Sequence, residues 1–242
     1  MGRMLDALRQ LDEQTHSFHT TEPNVIDTPV VPETSAPVDH VPEMLSSKET
    51  VPLDPRFREV IGAILSQVAL RDSTILLMAG FASDEPKGGQ LAAVYPPLAE
   101  RIDGSMLVVD ADSSHGPLAD RLHLSNQTGL NDVLFQNVPW REAVQDTGHA
   151  DLQILPAGKK QKKSCSPELL ASLLDQWRQT YRLIILDAIL ASPKETAQWA
   201  ALCDATLLTV RLSTTPRQEV QRTIEAIRSQ AASILGCVLL DP

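Results

Sequence analysis

Residues 74–112 read TILLMAGFASDEPKGGQLAAVYPPLAERIDGSMLVVDAD, and the order of apolar runs and breaks within them decides the fold. Ile75-Leu76-Leu77-Met78-Ala79 predicts a buried strand, Gly80 to Gly89 a loop carrying one lysine, and Leu91 to Glu100 a helix. Met106-Leu107-Val108-Val109 predicts a second strand ending in Asp110-Ala111-Asp112. Strand, loop, helix and strand in that order make the layout of a nucleotide-binding βαβ unit, with a phosphate loop after the first strand and carboxylates after the next.

The loop keeps the outline of a phosphate loop and little of its chemistry. In GxxxxGK[ST], glycines turn backbone N–H groups onto the phosphates, the lysine reaches the terminal phosphates and the hydroxyl holds Mg²⁺. Lys87 supplies the lysine, but Pro86 precedes it and has no N–H to donate. Gly88 and Gly89 follow, so the hydroxyl is missing, and Asp84 and Glu85 set negative charge where a triphosphate would lie.

Outside this stretch the same alternation continues. Leu152-Gln153-Ile154-Leu155 predicts a strand stopped by Pro156, Ala157 and Gly158. Ser166-Pro167-Glu168 opens a helix running to about Tyr181, and Leu183-Ile184-Ile185-Leu186 predicts a buried strand ending in Asp187. Residues 205–210 and 234–240 predict further strands, separated by a helix over 217–231 with Val220, Ile224 and Ile227 inward. Before the first strand, Phe57, Val60, Ile61, Ile64, Leu65 and Val68 recur at helical spacing. Alternating strands and helices joined by right-handed crossovers predict an α/β fold: a doubly wound, mostly parallel sheet over residues 55–242.

The amino-terminal part differs in kind. Met4, Leu5, Leu8 and Leu11 share one face of a short amphipathic helix over residues 1–14, which is either a docking helix or a frayed tail. Residues 15–54 are rich in Pro, Thr, Ser and Glu, which predicts a disordered, extended linker. A formal net charge of −10 argues against a nucleic-acid binder. The absence of an apolar signal core or a membrane-spanning run points to a cytoplasmic protein that meets membranes only through a partner. Cys165, Cys203 and Cys237 lack metal-ligand spacing and predict free, buried thiols. Lys159-Lys160-Gln161-Lys162-Lys163 is the densest basic run, read as a solvated loop or a contact for anionic headgroups or an acidic partner.

Five short motifs, in order, carry a resemblance: Val109-Asp110-Ala111-Asp112, Gly129 to Leu134, Leu155-Pro156-Ala157-Gly158, Pro167-Glu168-Leu169-Leu170 and Ile184 to Asp187. Over residues 56–240 the chain resembles the kinase domain of the bacterial tyrosine kinases of capsule and exopolysaccharide synthesis, within the deviant-Walker group of P-loop NTPases. The resemblance implies ATP and Mg²⁺ as cofactors and Lys87, Gly88 and Gly89 as the remnant of the phosphate loop. It further implies Asp110 and Asp112 as catalytic carboxylates, and Asp110 and Asp187 as Mg²⁺ holders. With Lys87 in the place of the family's invariant lysine, Gly80 stands for its serine and Glu85 for its glutamate. The rival register, Lys87-Gly88-Gly89 as the front of a partition-type motif, makes the following helix too short. The family's I-D-x-P-P becomes Asp187-Ala188-Ile189-Leu190, with Ile189 and Leu190 in place of its prolines, and its tyrosine-rich tail is expected to have no counterpart, since Tyr95 and Tyr181 both fall in predicted folded segments. These departures predict a degenerate relative acting as a regulatory or scaffold component, recruited to the inner face of the membrane by a membrane-anchored chain-length regulator or co-polymerase. The alternatives are an active tyrosine kinase or ATPase and, further off, a positioning ATPase.

Overall fold

The computed structural model describes residues 55–69, 71–81, 90–112, 117–160, 166–190, 192–212 and 214–240. The expectations for residues 1–14 and 15–54, for Lys87, Gly88 and Gly89, and for Cys165 lie outside the described residues.

Helix α1 (Pro55–Val68) precedes β1 (Thr74–Phe81) and buries Val60, Ile61, Ile64 and Val68, as their spacing predicts. After β1 come a 3-10 helix (Gln90–Val94), α2 (Tyr95–Ala99), β2 (Met106–Asp110), α3 (Pro117–Arg121), α4 (Leu130–Gln136) and α5 (Trp140–Ala143). The chain continues through β3 (Gln145–Asp146), β4 (Leu152–Leu155), α6 (Pro167–Arg178), β5 (Leu183–Leu190), α7 (Pro193–Ala200), β6 (Ala205–Arg211), α8 (Arg217–Ser229) and β7 (Ile234–Leu240).

The seven strands form one sheet in the order β3-β4-β2-β5-β1-β6-β7, parallel except for the β3–β4 pair. The chain leaves β1 in one direction to reach β2 and β4, then returns to β5, β6 and β7 in the other. With right-handed crossovers, this reversal sets helices on both faces and opens a crevice at the carboxyl ends of the central strands. Every residue of β1 and β2 is buried, the expected consequence of cover on both faces. Asp204 anchors the amino end of β1: it accepts the Ile75 N–H at 2.7 Å and pairs with Arg178 at 2.9 Å.

Three features depart from the sequence expectation. The helix expected over Leu91 to Glu100 is broken into a 3-10 turn and a five-residue α-helix, because Pro96 and Pro97 lack the N–H groups that would continue the ladder. The strand expected to end at Asp187 runs three residues further to Leu190, since Ala188, Ile189 and Leu190 include no proline or glycine to stop it. Cys203 is only partly covered and Cys237 is exposed on the edge strand β7, so neither is the buried thiol expected. Among the described residues, no helix is long and apolar enough to cross a membrane.

Candidate functional site

At the carboxyl edge of the sheet, β2 stops at Asp110 while β5 beside it, and β1 beyond β5, run on. Asp187 pairs with Asp110 on one side and with Met78 on the other, whereas the last pair of the longer strands is Phe81 with Leu190. The result is a step. Two aspartates face each other at its foot, and three further residues of β1 and β5 rise beside them, about 10 Å at the usual strand rise.

Asp110 is 1% exposed, and its backbone neighbours hold it in place. Its Oδ1 accepts the Asp112 N–H at 3.2 Å and its Oδ2 the Leu118 N–H at 3.0 Å, so it fixes the turn after β2 and the start of α3. Asp112 is also buried. Asp110 and Asp187 therefore stand side by side at the strand ends, and Asp110 also caps the turn after β2.

Tyr95 is the residue that sequence reasoning missed. The proline-imposed break between the 3-10 turn and α2 aims this fully buried side chain back at the sheet, where its hydroxyl donates to Asp187 Oδ2 at 2.5 Å. Met78 Sδ lies 3.7 Å from the same hydroxyl. The partners are 92 residues apart in sequence, and a tyrosine ahead of two prolines carries no local signal of such a contact.

Burial governs the electrostatics. Loss of water pushes the Asp110 carboxyl up to about 8, with the nearby Asp187 charge adding to the rise and the Leu118 and Asp112 N–H groups pulling it back. Asp187 is pushed up to about 6, first by burial; the Tyr95 hydrogen bond opposes this, and the Asp112 charge reinforces it. Tyr95 itself is driven well above the usual phenol value by its burial and by the Asp187 charge. Both carboxyls thus hold a proton more readily than a solvated aspartate does.

A Mg²⁺ ion at this edge would compete with hydrogen bonds the carboxylates already make. Both oxygens of Asp110 are bound by backbone N–H groups and one of Asp187 by a phenol, and Mg²⁺ demands near-octahedral oxygen ligands at short range. Among the described residues, no group of three or more His, Cys, Asp or Glu side chains is arranged to hold a metal ion.

Beside the step, two of the sequence motifs interlock. The Leu130 N–H donates to the Pro156 carbonyl and the Asn131 N–H to that of Ala157, at 2.7 and 2.9 Å. Asp132 Oδ2 closes the corner by accepting the Gly129 N–H at 2.9 Å, and Asn126 Oδ1 accepts that of Gly158 at 2.8 Å. Because Leu155 pairs with Val109, this corner stands next to the end of β2 and supports the turn that carries Asp112. Of the basic run, Lys159 and Lys160 are described, and both are exposed.

No family model matches the sequence, and a search of curated proteins finds no match. Solved structures do match. The chimerical protein CapA2B2 superposes with a TM-score of 0.64 at 20% identity, covering 80% of this chain and 86% of that one. The kinase domain of the Escherichia coli tyrosine kinase Etk gives 0.62 at 19% identity, over 76% and 72% of the two chains. The septum site-determining protein MinD of Pyrococcus horikoshii, solved with Mg-ADP, gives 0.52 at 16% identity, over 67% and 69%. The fold is that of bacterial tyrosine kinase domains and related P-loop NTPases.

Proposed function

We propose that this chain is a regulatory or scaffold component of a polysaccharide synthesis and export machinery, built on a tyrosine-kinase-like fold whose cation site is held shut. The observation that carries this reading is the hydrogen bond from Tyr95 to Asp187. It occupies the carboxylate that a metal would need, at the foot of a step raised by the extended ends of β1 and β5. Asp110 is committed to backbone N–H groups, and its burial beside Asp187 favours its protonated form. Pro86 and Gly88 weaken the phosphate loop in the same direction. A phosphate-bearing ligand would then be held as a ligand and not turned over.

The partner is a membrane-anchored chain-length regulator or co-polymerase, as the resemblance to capsule and exopolysaccharide kinases implies, and the proline-rich residues 15–54 suit a tether that reaches it. The test is incubation of the full chain with Mg-ATP and a tyrosine-containing polymer, scoring ADP release and phosphotyrosine. Neither rises above background if the reading holds. Mg²⁺-dependent turnover that Lys87→Ala abolishes would establish instead an active kinase or ATPase using Lys87, Asp110, Asp112 and Asp187.

A further inference from the structure

Three helices share one face of the sheet. The steps from β4 to β5, β5 to β6 and β6 to β7 all run in the same direction across the strand order, so right-handed crossovers set α6, α7 and α8 on the same side. This face carries two features of opposite charge.

The first is a groove of about 500 Å³ between α7 and α8. Pro193, Lys194 and Ala197 line it from α7, and Arg222 and Ala226 from α8. The small side chains at 197 and 226, one buried and one half-buried, leave room between the two helices. Lys194 and Arg222 are both exposed, and among the described residues neither has a carboxylate partner. The carboxylates of these helices, Glu195, Glu219 and Glu225, do not line the groove, and Glu225 accepts a hydrogen bond from Gln221. The groove is therefore apolar at its floor and basic at its rim, in a chain whose formal net charge is −10.

The second feature lies on α6. Glu168, Ser172 and Asp175 recur at i, i+4 and i+7, which puts both carboxylates on one exposed stripe, about 10 Å apart along the helix. Neither carboxylate has an ion-pair partner among the described residues. Beside the stripe, Leu169 is 41% exposed, the one large apolar side chain that the described residues leave open to solvent.

We infer that α6 of one copy docks in the groove between α7 and α8 of a second copy, and reciprocally, as a twofold dimer. Leu169 fills the apolar floor, and Glu168 and Asp175 meet Lys194 and Arg222. A single exposed leucine is ordinary on a monomer. What selects a second copy is the match, in kind and in sign, between Leu169 with its flanking acids and the floor and rim of the groove. Because both halves of the contact lie on one face, a single twofold axis satisfies them together and closes the assembly at two chains. The dimer requires neither nucleotide nor an open cation site, so it stands apart from the scaffold reading.

The test is sedimentation of the full chain over a concentration series up to about 100 μM, which populates even a dimer of modest affinity. Two variants reverse the charges: Glu168→Lys with Asp175→Lys, and Lys194→Glu with Arg222→Glu. All four side chains are exposed, so both variants keep the wild-type circular dichroism and melting temperature. The wild type is expected to double in mass as concentration rises. Dimerisation weakens by about tenfold or more in either variant alone, where like charges face each other in both halves of the contact. An equimolar mixture of the two variants dimerises again, because every facing pair is once more opposite in sign; a variant that had lost its fold would not be rescued this way. Leu169→Asp loses the dimer. A wild type that stays monomeric throughout, a dimer unmoved by either reversal, or a mixture that stays monomeric overturns the proposal. Mass that keeps rising past two chains overturns it as well, since a twofold contact closes.

Discussion

Asp110 loses its water on folding, Asp187 loses much of it, and the two stand beside each other, so the folded state favours their neutral forms. Both carboxyls titrate above their unfolded value near 4, Asp187 at about 6 and Asp110 at about 8. For a raised acid, the folded state binds the proton more tightly than the unfolded chain does. Its stabilising share is complete below about pH 4 and disappears as pH climbs through the folded values. The unfolding free energy of the wild type is therefore expected to fall between about pH 5 and pH 9, and Asp110→Asn to flatten the upper half of that fall, leaving a difference of at least about 1 kcal/mol across it. Chemical denaturation at a series of pH values measures this. A wild-type curve that rises through the window, or a variant curve parallel to it, would show that the two carboxylates are ionised and well solvated.

The strand–helix alternation was readable because apolar runs and their punctuation are local. Ser166 does cap α6, accepting the Leu169 N–H at 3.2 Å, and Val220, Ile224 and Ile227 of α8 are buried as their spacing predicts. What escaped is either too short or set by distant contacts. β3 has two residues, and α5 four. The start of α7 at Ser192-Pro193-Lys194-Glu195 had a legible cap, since Ser192 Oγ accepts the Glu195 N–H, but no helix was expected there. The three aspartates of the candidate site were visible as strand-end residues, whereas Tyr95, on α2, owes its meaning to a contact with β5, 92 residues away in sequence. The corner between α4 and the turn after β4 gives a test at this scale. Gly158 has φ +76°, and a Cβ there would lie 2.4 Å from Asp132 Oδ2 and 2.7 Å from the Gly129 nitrogen. Gly148 has φ +79° with open space around it. Left-handed backbone alone costs a non-glycine residue about 1–2 kcal/mol. Gly148→Ala is expected to stay within that range, while Gly158→Ala exceeds it by about 2 kcal/mol or more, because backbone and a buried carboxylate must shift. Equal losses of stability in urea melts would mean that the corner yields freely.

Taken whole, the sheet sorts charge along one edge. The strands β2 and β5 carry the aspartates, β6 ends in an arginine, and β1 lies between. On the proposed reading, the acidic side of this edge is closed by the hydrogen bond from Tyr95 to Asp187. The most direct measurement is calorimetric titration of ADP, with and without Mg²⁺ at neutral pH, into the full chain and into Tyr95→Phe. The closed site predicts that Mg²⁺ changes the ADP affinity of the wild type by no more than about twofold, and that removing the phenol hydroxyl makes binding Mg²⁺-dependent. Mg²⁺ tightening ADP binding to the wild type by about tenfold or more would show that the carboxylates hold the metal despite Tyr95, and the chain would have to be read as a working nucleotide enzyme.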